Sequence, residues 1–141
     1  MLDQRPDLIG TPRLVVADPV ADAALQGANR SYAPYTKDFS GVALECEDGR
    51  VYSGGYEENA AYDPGVSPFQ AAFAMLLLGV GPGAFKSGLV KVSRAVLVEP
   101  SKGAKISQAG ATRISLSSIA PDVELEIHNA SCPASLAAID T

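Results

Sequence analysis

The chain is 141 residues long, 47% hydrophobic and 19% charged, with a net charge of −5. That composition belongs to one globular domain, long enough to bury roughly two thirds of its unfolded surface without staples, and it excludes a disordered chain. The eleven basic residues are scattered with no run longer than one, so a phosphate backbone meets no concentrated positive surface and nucleic acid is excluded as a partner.

Two cysteines, Cys46 and Cys132, are too few for the disulfide framework of a small secreted domain. Residues 1 to 10 are polar, with Asp3, Arg5 and Asp7 where an export leader would be basic and then apolar. The longest apolar run, Ala71 to Leu78, is too short to cross a bilayer. The expected setting is therefore the cytoplasm, with no membrane partner.

In chain order, residues 1–16 carry two prolines and little periodicity, and read as an arm or linker. Asp18-Pro19 then supplies a helix cap and a proline for the first turn, followed by Val20, Ala24, Leu25 and Ala28 at helical spacing. Gly41 to Cys46 and Val51 to Gly55 flank Glu47-Asp48-Gly49, and Asp-Gly between short apolar runs predicts a hairpin. A second helix begins at Ser67-Pro68, with Gly79 as its stop. Because Phe69 to Leu78 is apolar nearly all round, the pattern predicts a central helix buried on every side, with a subunit interface across one face as the other reading. A strand over Lys91 to Val98, a helix from about Ser107 to Ser118 and an alternating strand over Val123 to Ile127 complete the domain. The order α, β, β, α, β, α, β predicts a mixed sheet with helices on both faces, a three-layer α/β/α domain over residues 17–128, and a tail over 129–141.

Five segments carry a family resemblance: Ala28-Asn-Arg-Ser-Tyr-Ala-Pro-Tyr-Thr-Lys37, Ser40-Gly-Val-Ala-Leu-Glu-Cys46, Asp48-Gly-Arg-Val-Tyr-Ser-Gly54, Glu58-Asn-Ala-Ala-Tyr62 and Arg94-Ala-Val-Leu-Val-Glu99. Together they resemble the cytidine deaminase family over about residues 20–128. Within that family the likeness is to the C-terminal, non-catalytic domain of two-domain homodimeric enzymes. The resemblance implies a cytidine-deaminase-like fold and a place in pyrimidine salvage, where cytidine or deoxycytidine becomes the uridine product.

Catalysis in that family needs a zinc held by three thiolate or imidazole ligands at two helix N-termini, and a glutamate that shuttles protons. The family pattern, Cys-Ala-Glu and then Pro-Cys-x-x-Cys, falls on Ser67, Phe69, Ala109 and Thr112. None of these is a thiolate, an imidazole or a proton carrier. The resemblance therefore implies a domain with no cofactor of its own and no catalytic residue, inactive alone, with zinc in a partner catalytic domain.

The family's base-stacking Phe falls on Asp38, and its ribose-holding Asn and Glu fall on Tyr56 and Glu58. The segment that completes a neighbouring subunit's pocket keeps its pattern in Asn59, Ala60 and Tyr62. The resemblance thus implies that Glu58, Asn59, Ala60 and Tyr62 contribute to substrate binding in trans, in a homo-oligomer or on a catalytic partner domain. The bland alternative makes Glu58 and Asn59 satisfiers of loop backbone and Tyr62 a packed aromatic. Two rival functions are a zinc-dependent deaminase active in its own right, and a homo-oligomeric nucleoside-binding or structural module.

Three other signals are set aside. Gly79-Val-Gly-Pro-Gly-Ala84 matches a dinucleotide-binding glycine pattern but follows a helix instead of a strand. His128, Cys132 and Cys46 are too few and badly spaced for a metal site, and no serine sits in a nucleophile-elbow context near His128.

Overall fold

A computed structural model describes residues 18–34, 36–58, 65–101 and 106–130. The first helix, α1, spans Pro19–Asn29. The Asp18 carboxylate caps it, accepting the backbone N–H of Val20 at 3.1 Å and of Ala21 at 3.2 Å. This satisfies two of the donors that a helix start leaves open, and Pro19 fills a position where no N–H is missed. The strands β1 (Gly41–Cys46) and β2 (Val51–Gly55) form the predicted hairpin, with Gly49 at φ +92° in the turn. A left-handed residue there explains the Asp-Gly pair.

The helix α2 spans Pro68–Val80 and a short helix α3 spans Pro82–Lys86. Strand β3 (Val92–Pro100), helix α4 (Ala109–Ile119) and strand β4 (Leu125–Ala130) follow. The sheet order is β2-β1-β3-β4, with β1 antiparallel to both neighbours and β3 parallel to β4. The parallel pair is joined through α4, as such a pair requires a crossover.

Two cores lie on opposite faces of this sheet. Val20, Ala21, Ala24, Leu25 and Ala28 of α1 pack with Ala43, Val96 and Val98 on one face. Phe69, Ala72 and Leu76 of α2 and Leu116 of α4 pack with Val42, Leu44, Ala95 and Leu97 on the other. The strands alternate as period two demands, and the architecture is the expected three layers. At Gly54 and Gly55 both helix layers press on the same strand. A Cβ on Gly54 would lie 2.5 Å from the Ala72 nitrogen of α2, and one on Gly55 would lie 2.2 Å from the Gly27 oxygen of α1. Successive residues of a strand face opposite sides, so two glycines in a row admit a helix on each.

The central-helix expectation is corrected. Only one stripe of α2 is buried, while Met75 is 50% exposed and Leu78 81% exposed. The helix is an outer layer with a sheet on one side, so apolar residues off that stripe face outward. The stop is also displaced, because α2 runs on to a C-cap at Gly81 with φ +89°. Gly79 serves packing instead: a Cβ there would lie 2.4 Å from the Tyr52 ring. The β3 and β4 strands each extend past the predicted end, to Pro100 and Ala130.

Candidate functional site

The registers Gly41↔Gly55, Gly41↔Val98 and Pro100↔Ala130 place one end of every strand together. Residues Ser31–Pro34 and Thr36–Ser40, residues Tyr56–Glu58 and the N-termini of α2 and α4 converge at that end. The loop is laced to the strand continuation by backbone bonds. Tyr32 N–H donates to the Tyr56 carbonyl at 2.8 Å, Glu58 N–H to the Tyr32 carbonyl at 2.8 Å, and Glu57 exchanges bonds with Val66 at 2.9 and 2.7 Å. Two helix N-termini aimed at one place create a region of positive dipole suited to thiolates or anions.

Ser67 lies at the start of α2 and is consumed by a reciprocal cap. Gln70 N–H donates to Ser67 Oγ at 3.1 Å, while Ser67 N–H donates to Gln70 Oε1 at 3.0 Å. This is the capping-box arrangement, with Pro68 at the first helical position. Phe69, where the resemblance puts a proton-carrying carboxylate, is buried and stacks on Phe73 at 5.8 Å between ring centroids. Ala109 opens α4, its N–H donating to Ser107 Oγ at 3.1 Å. Thr112, one turn further, is 1% exposed, and its hydroxyl has no hydrogen-bond partner.

Sequence reasoning missed the acidic cluster at the start of α4. Glu99, buried at the end of β3, accepts the Ser107 hydroxyl at 2.8 Å and the Gln108 N–H at 3.2 Å. Asp38 is 0% exposed. Burial drives its carboxyl up to about 6; the Gln108 amide and Ser40 beside it work against that, while the charges of Glu99 and Glu58 add to it. Although Gln108 lies alongside, neither Asp38 oxygen receives a donor in good hydrogen-bond geometry. Glu58 turns to the loop, accepting the Thr36 N–H at 3.1 Å and the Thr36 hydroxyl. Burial, and then the charges of Glu58 and Asp38, push the Tyr56 hydroxyl up. The strand pattern ends one residue before Glu99, and the family resemblance includes Glu99 in the Arg94–Glu99 segment without assigning it a role. Asn59, Ala60 and Tyr62 lie outside the described residues.

Other candidate ligands are elsewhere. Cys46 pairs with Val92 and His128 with Val98 along β3, about 20 Å apart at the rise of a strand, so they share no metal. Cys132 lies outside the described residues. Asp18, Glu126 and His128 bring ligand atoms within 4.8 Å of one another, but the Arg94 guanidinium sits among them and binds both carboxylates. A cation there would have to displace that charge. A cleft of about 690 Å³ between Phe85, Val90, Ile119 and Val123 opens at the opposite end of the sheet.

The family pattern described as "Cytidine and deoxycytidylate deaminase zinc-binding region" matches residues 3–113. The chain belongs to the cytidine deaminase family. A cytidine deaminase of Serratia proteamaculans is 46% identical over 107 residues, covering 76% of this chain and 34% of that protein. One from Vibrio vulnificus is 42% identical over 106 residues, covering 75% and 34%. The chain thus spans about a third of the length of the curated relatives it matches, in their C-terminal portion. The crystal structure of cytidine deaminase from Burkholderia pseudomallei superposes with a TM-score of 0.59 at 26% identity, covering 81% of this chain and 88% of that one. The Mycobacterium tuberculosis enzyme superposes with a TM-score of 0.57 at 24% identity, covering 82% and 88%, a likeness of fold.

The cytidine deaminase family is zinc-binding, and the residues at this chain's two helix N-termini do not fit that metal. Zinc prefers thiolate and imidazole. Here the positions offer a hydroxyl already used as a cap, a phenyl ring, a methyl group and a threonine hydroxyl. Among the described residues no helix is long and apolar enough to cross a membrane.

Proposed function

We propose that this chain is a cytidine-deaminase-fold domain that performs no chemistry itself and works by assembling with a catalytic cytidine deaminase domain. The observation that carries this reading is the state of the two helix starts. Ser67 is committed to a capping box and Phe69 to an aromatic stack, and α4 begins without a thiolate. Activating a water for attack on a cytosine ring requires a lowered pKa and a proton carrier, and neither kind of group stands at these positions.

In this reading the domain runs from residue 17 to the end of β4 at Ala130, with residues 1–16 as a linker arm and the residues after β4 as a tail. The catalytic partner lies in the same polypeptide or on a separate chain, and carries the zinc. Glu58, Asn59, Ala60 and Tyr62 complete the partner's nucleoside pocket, and the exposed apolar face of α2 supplies contact surface. The assembled protein acts in pyrimidine salvage in the cytoplasm, hydrolysing cytidine or deoxycytidine.

The test is to purify the chain, measure bound zinc and cytidine turnover, and then add a catalytic deaminase domain. The expected result is no turnover alone, and altered turnover on assembly. Turnover by the isolated chain with one tightly held zinc per subunit overturns the proposal.

A further inference from the structure

Strand β4 is an open edge of the sheet. It pairs with β3 on one side, from Ala95↔Leu125 to Pro100↔Ala130, and among the described residues no strand pairs with its other side. Its six residues, Leu125-Glu-Ile-His-Asn-Ala130, hold no proline, lysine or bulge, the usual guards of such an edge. Leu125 and Ile127 pack on the core beside α2 and α4 yet remain only half-buried. An edge strand turns half of its backbone N–H and C=O groups away from its one partner, so this edge is a template for a further strand.

The start of α1 is fastened beside that edge. Asp18 shares the Arg94 guanidinium with Glu126 of β4, and its carboxylate lies within 4.8 Å of ligand atoms on both Glu126 and His128. Asp18 is itself extended, at φ −147° and ψ 101°, so the chain enters the helix without a turn at that residue. We propose that the segment Thr11-Pro-Arg-Leu-Val-Val16 of this chain adds to the outer side of β4 as a fifth, antiparallel strand.

Direction, length and composition agree. Asp18 is held near the start of β4, so a segment that lies along the strand and ends at Asp18 runs against it. Residues 11–16 equal β4 in number, and at about 3.3 Å per residue they cover its length. Leu14, Val15 and Val16 are apolar and two are β-branched, and Pro12 falls at the beginning, where a strand tolerates it. One face of the added strand then covers the half-buried Leu125 and Ile127. The rival segment, the tail after Ala130, is rich in alanine and broken by Pro133, a poorer strand former. An antiparallel strand brings Thr11 beside Ala130, so residues 1–10 leave the sheet at the end where α2 and α4 begin. The pairing needs no partner domain, so it stands or falls apart from the assembly reading.

The experiment is amide hydrogen exchange on the full chain, alone and over a range of protein concentrations. Amides of residues 13–16 are expected to exchange about ten times more slowly than in an unstructured chain, or slower still, at every concentration. Adjacent strand residues alternate between facing a partner and facing away, so the double variant Leu14→Pro, Val15→Pro removes a ladder bond in either register. In that variant the β4 amides are expected to exchange about ten times faster while those of β1 and β2 hold their rates. Unstructured-chain rates for residues 13–16 overturn the proposal, as does β4 protection that the double variant leaves unchanged. Slow exchange found in residues 134–140 instead assigns the edge to the tail, and protection that appears only at high concentration assigns it to a second copy. Either result also overturns the proposal.

Discussion

Arg94, on β3, grips both carboxylate oxygens of Asp18, the residue that caps α1, with Nη1 2.8 Å from Oδ1. The same guanidinium reaches Glu126 on β4, through Nε at 2.6 Å and Nη2 at 2.7 Å. One side chain therefore ties the start of the first helix to two parallel strands. The planar fork of arginine suits two carboxylates where a lysine would not. Arg94→Leu leaves Asp18 and Glu126 facing each other without a counter-charge. The variant is expected to lose about 1–3 kcal/mol of stability, read by urea unfolding at pH 7.

The hydrogen bond from Arg94 holds the Asp18 carboxyl down at about 2, from an ordinary 3.8. A carboxyl depressed in the folded state contributes stability that is full above its unfolded value and is lost as pH falls through the folded one. Asp18→Asn keeps a good capping side chain and removes only the charge. The variant is expected to be less stable than the parent by about 1 kcal/mol above pH 4, discounted for solvent screening, with the gap closing between pH 4 and 2. Parallel acid titrations of unfolding free energy check it.

Ser67→Ala tests the cap at the position where the resemblance puts the family's first zinc ligand. Loss of the hydroxyl strands the Gln70 N–H and leaves only the bond from the residue 67 backbone N–H to Gln70 Oε1. The expected cost is about 1 kcal/mol, with no change in metal content. A drop in bound metal measured by emission spectrometry would show that the serine had been doing more than capping.

The fold was legible in the sequence wherever local chemistry decided it. Asp18-Pro19, Asp48-Gly49 and Ser67-Pro68 each specify a backbone event within a few residues, and each is realised. What the sequence hid was tertiary. An apolar helix does not announce which side a sheet will cover, so Met75 and Leu78 were expected inside and lie outside. A glycine after a helix reads as its stop, yet Gly79 makes room for the Tyr52 ring. Ser67, Phe69, Ala109 and Thr112 could be named from the sequence because the family resemblance aligns its ligand and glutamate positions with them. The Asp38–Gln108–Glu99 cluster could not, because its members are far apart in sequence and meet only when β3 and α4 are folded.

Asp38→Asn is expected to stabilise the chain at neutral pH. Burial raises the Asp38 carboxyl to about 6, above its ordinary 3.8. The protonated form is favoured inside, so the parent bears no penalty below about pH 4. The penalty grows as pH rises through 6 and is full above it, reaching about 3 kcal/mol at most. The asparagine variant escapes it, so the difference between the two proteins widens from pH 4 to pH 6 and then levels. A flat difference across that window in paired unfolding curves would mean that Asp38 meets a donor in solution.

The outer face of α2 carries the assembly claim and is open to direct attack. The helix has no charged residue from Pro68 to Val80, and its exposed stripe includes Met75 at 50% and Leu78 at 81% exposure. On a chain of net charge −5, an uncharged helix face is where another subunit or domain can approach without repulsion. Leu76, on the opposite side at 0% exposure, belongs to the core, and Leu76→Ala is expected to cost about 2–5 kcal/mol. Leu78→Glu alters only exposed surface, so its stability as an isolated chain should stay within about 0.5 kcal/mol of the parent. Its assembly should not, because a carboxylate buried against an apolar partner has nothing to pair with. Light scattering with size-exclusion chromatography should report a smaller particle with an unchanged circular dichroism spectrum. If Leu78→Glu assembles as the parent does, alone and with a catalytic deaminase domain, the contact surface lies on another face of the domain.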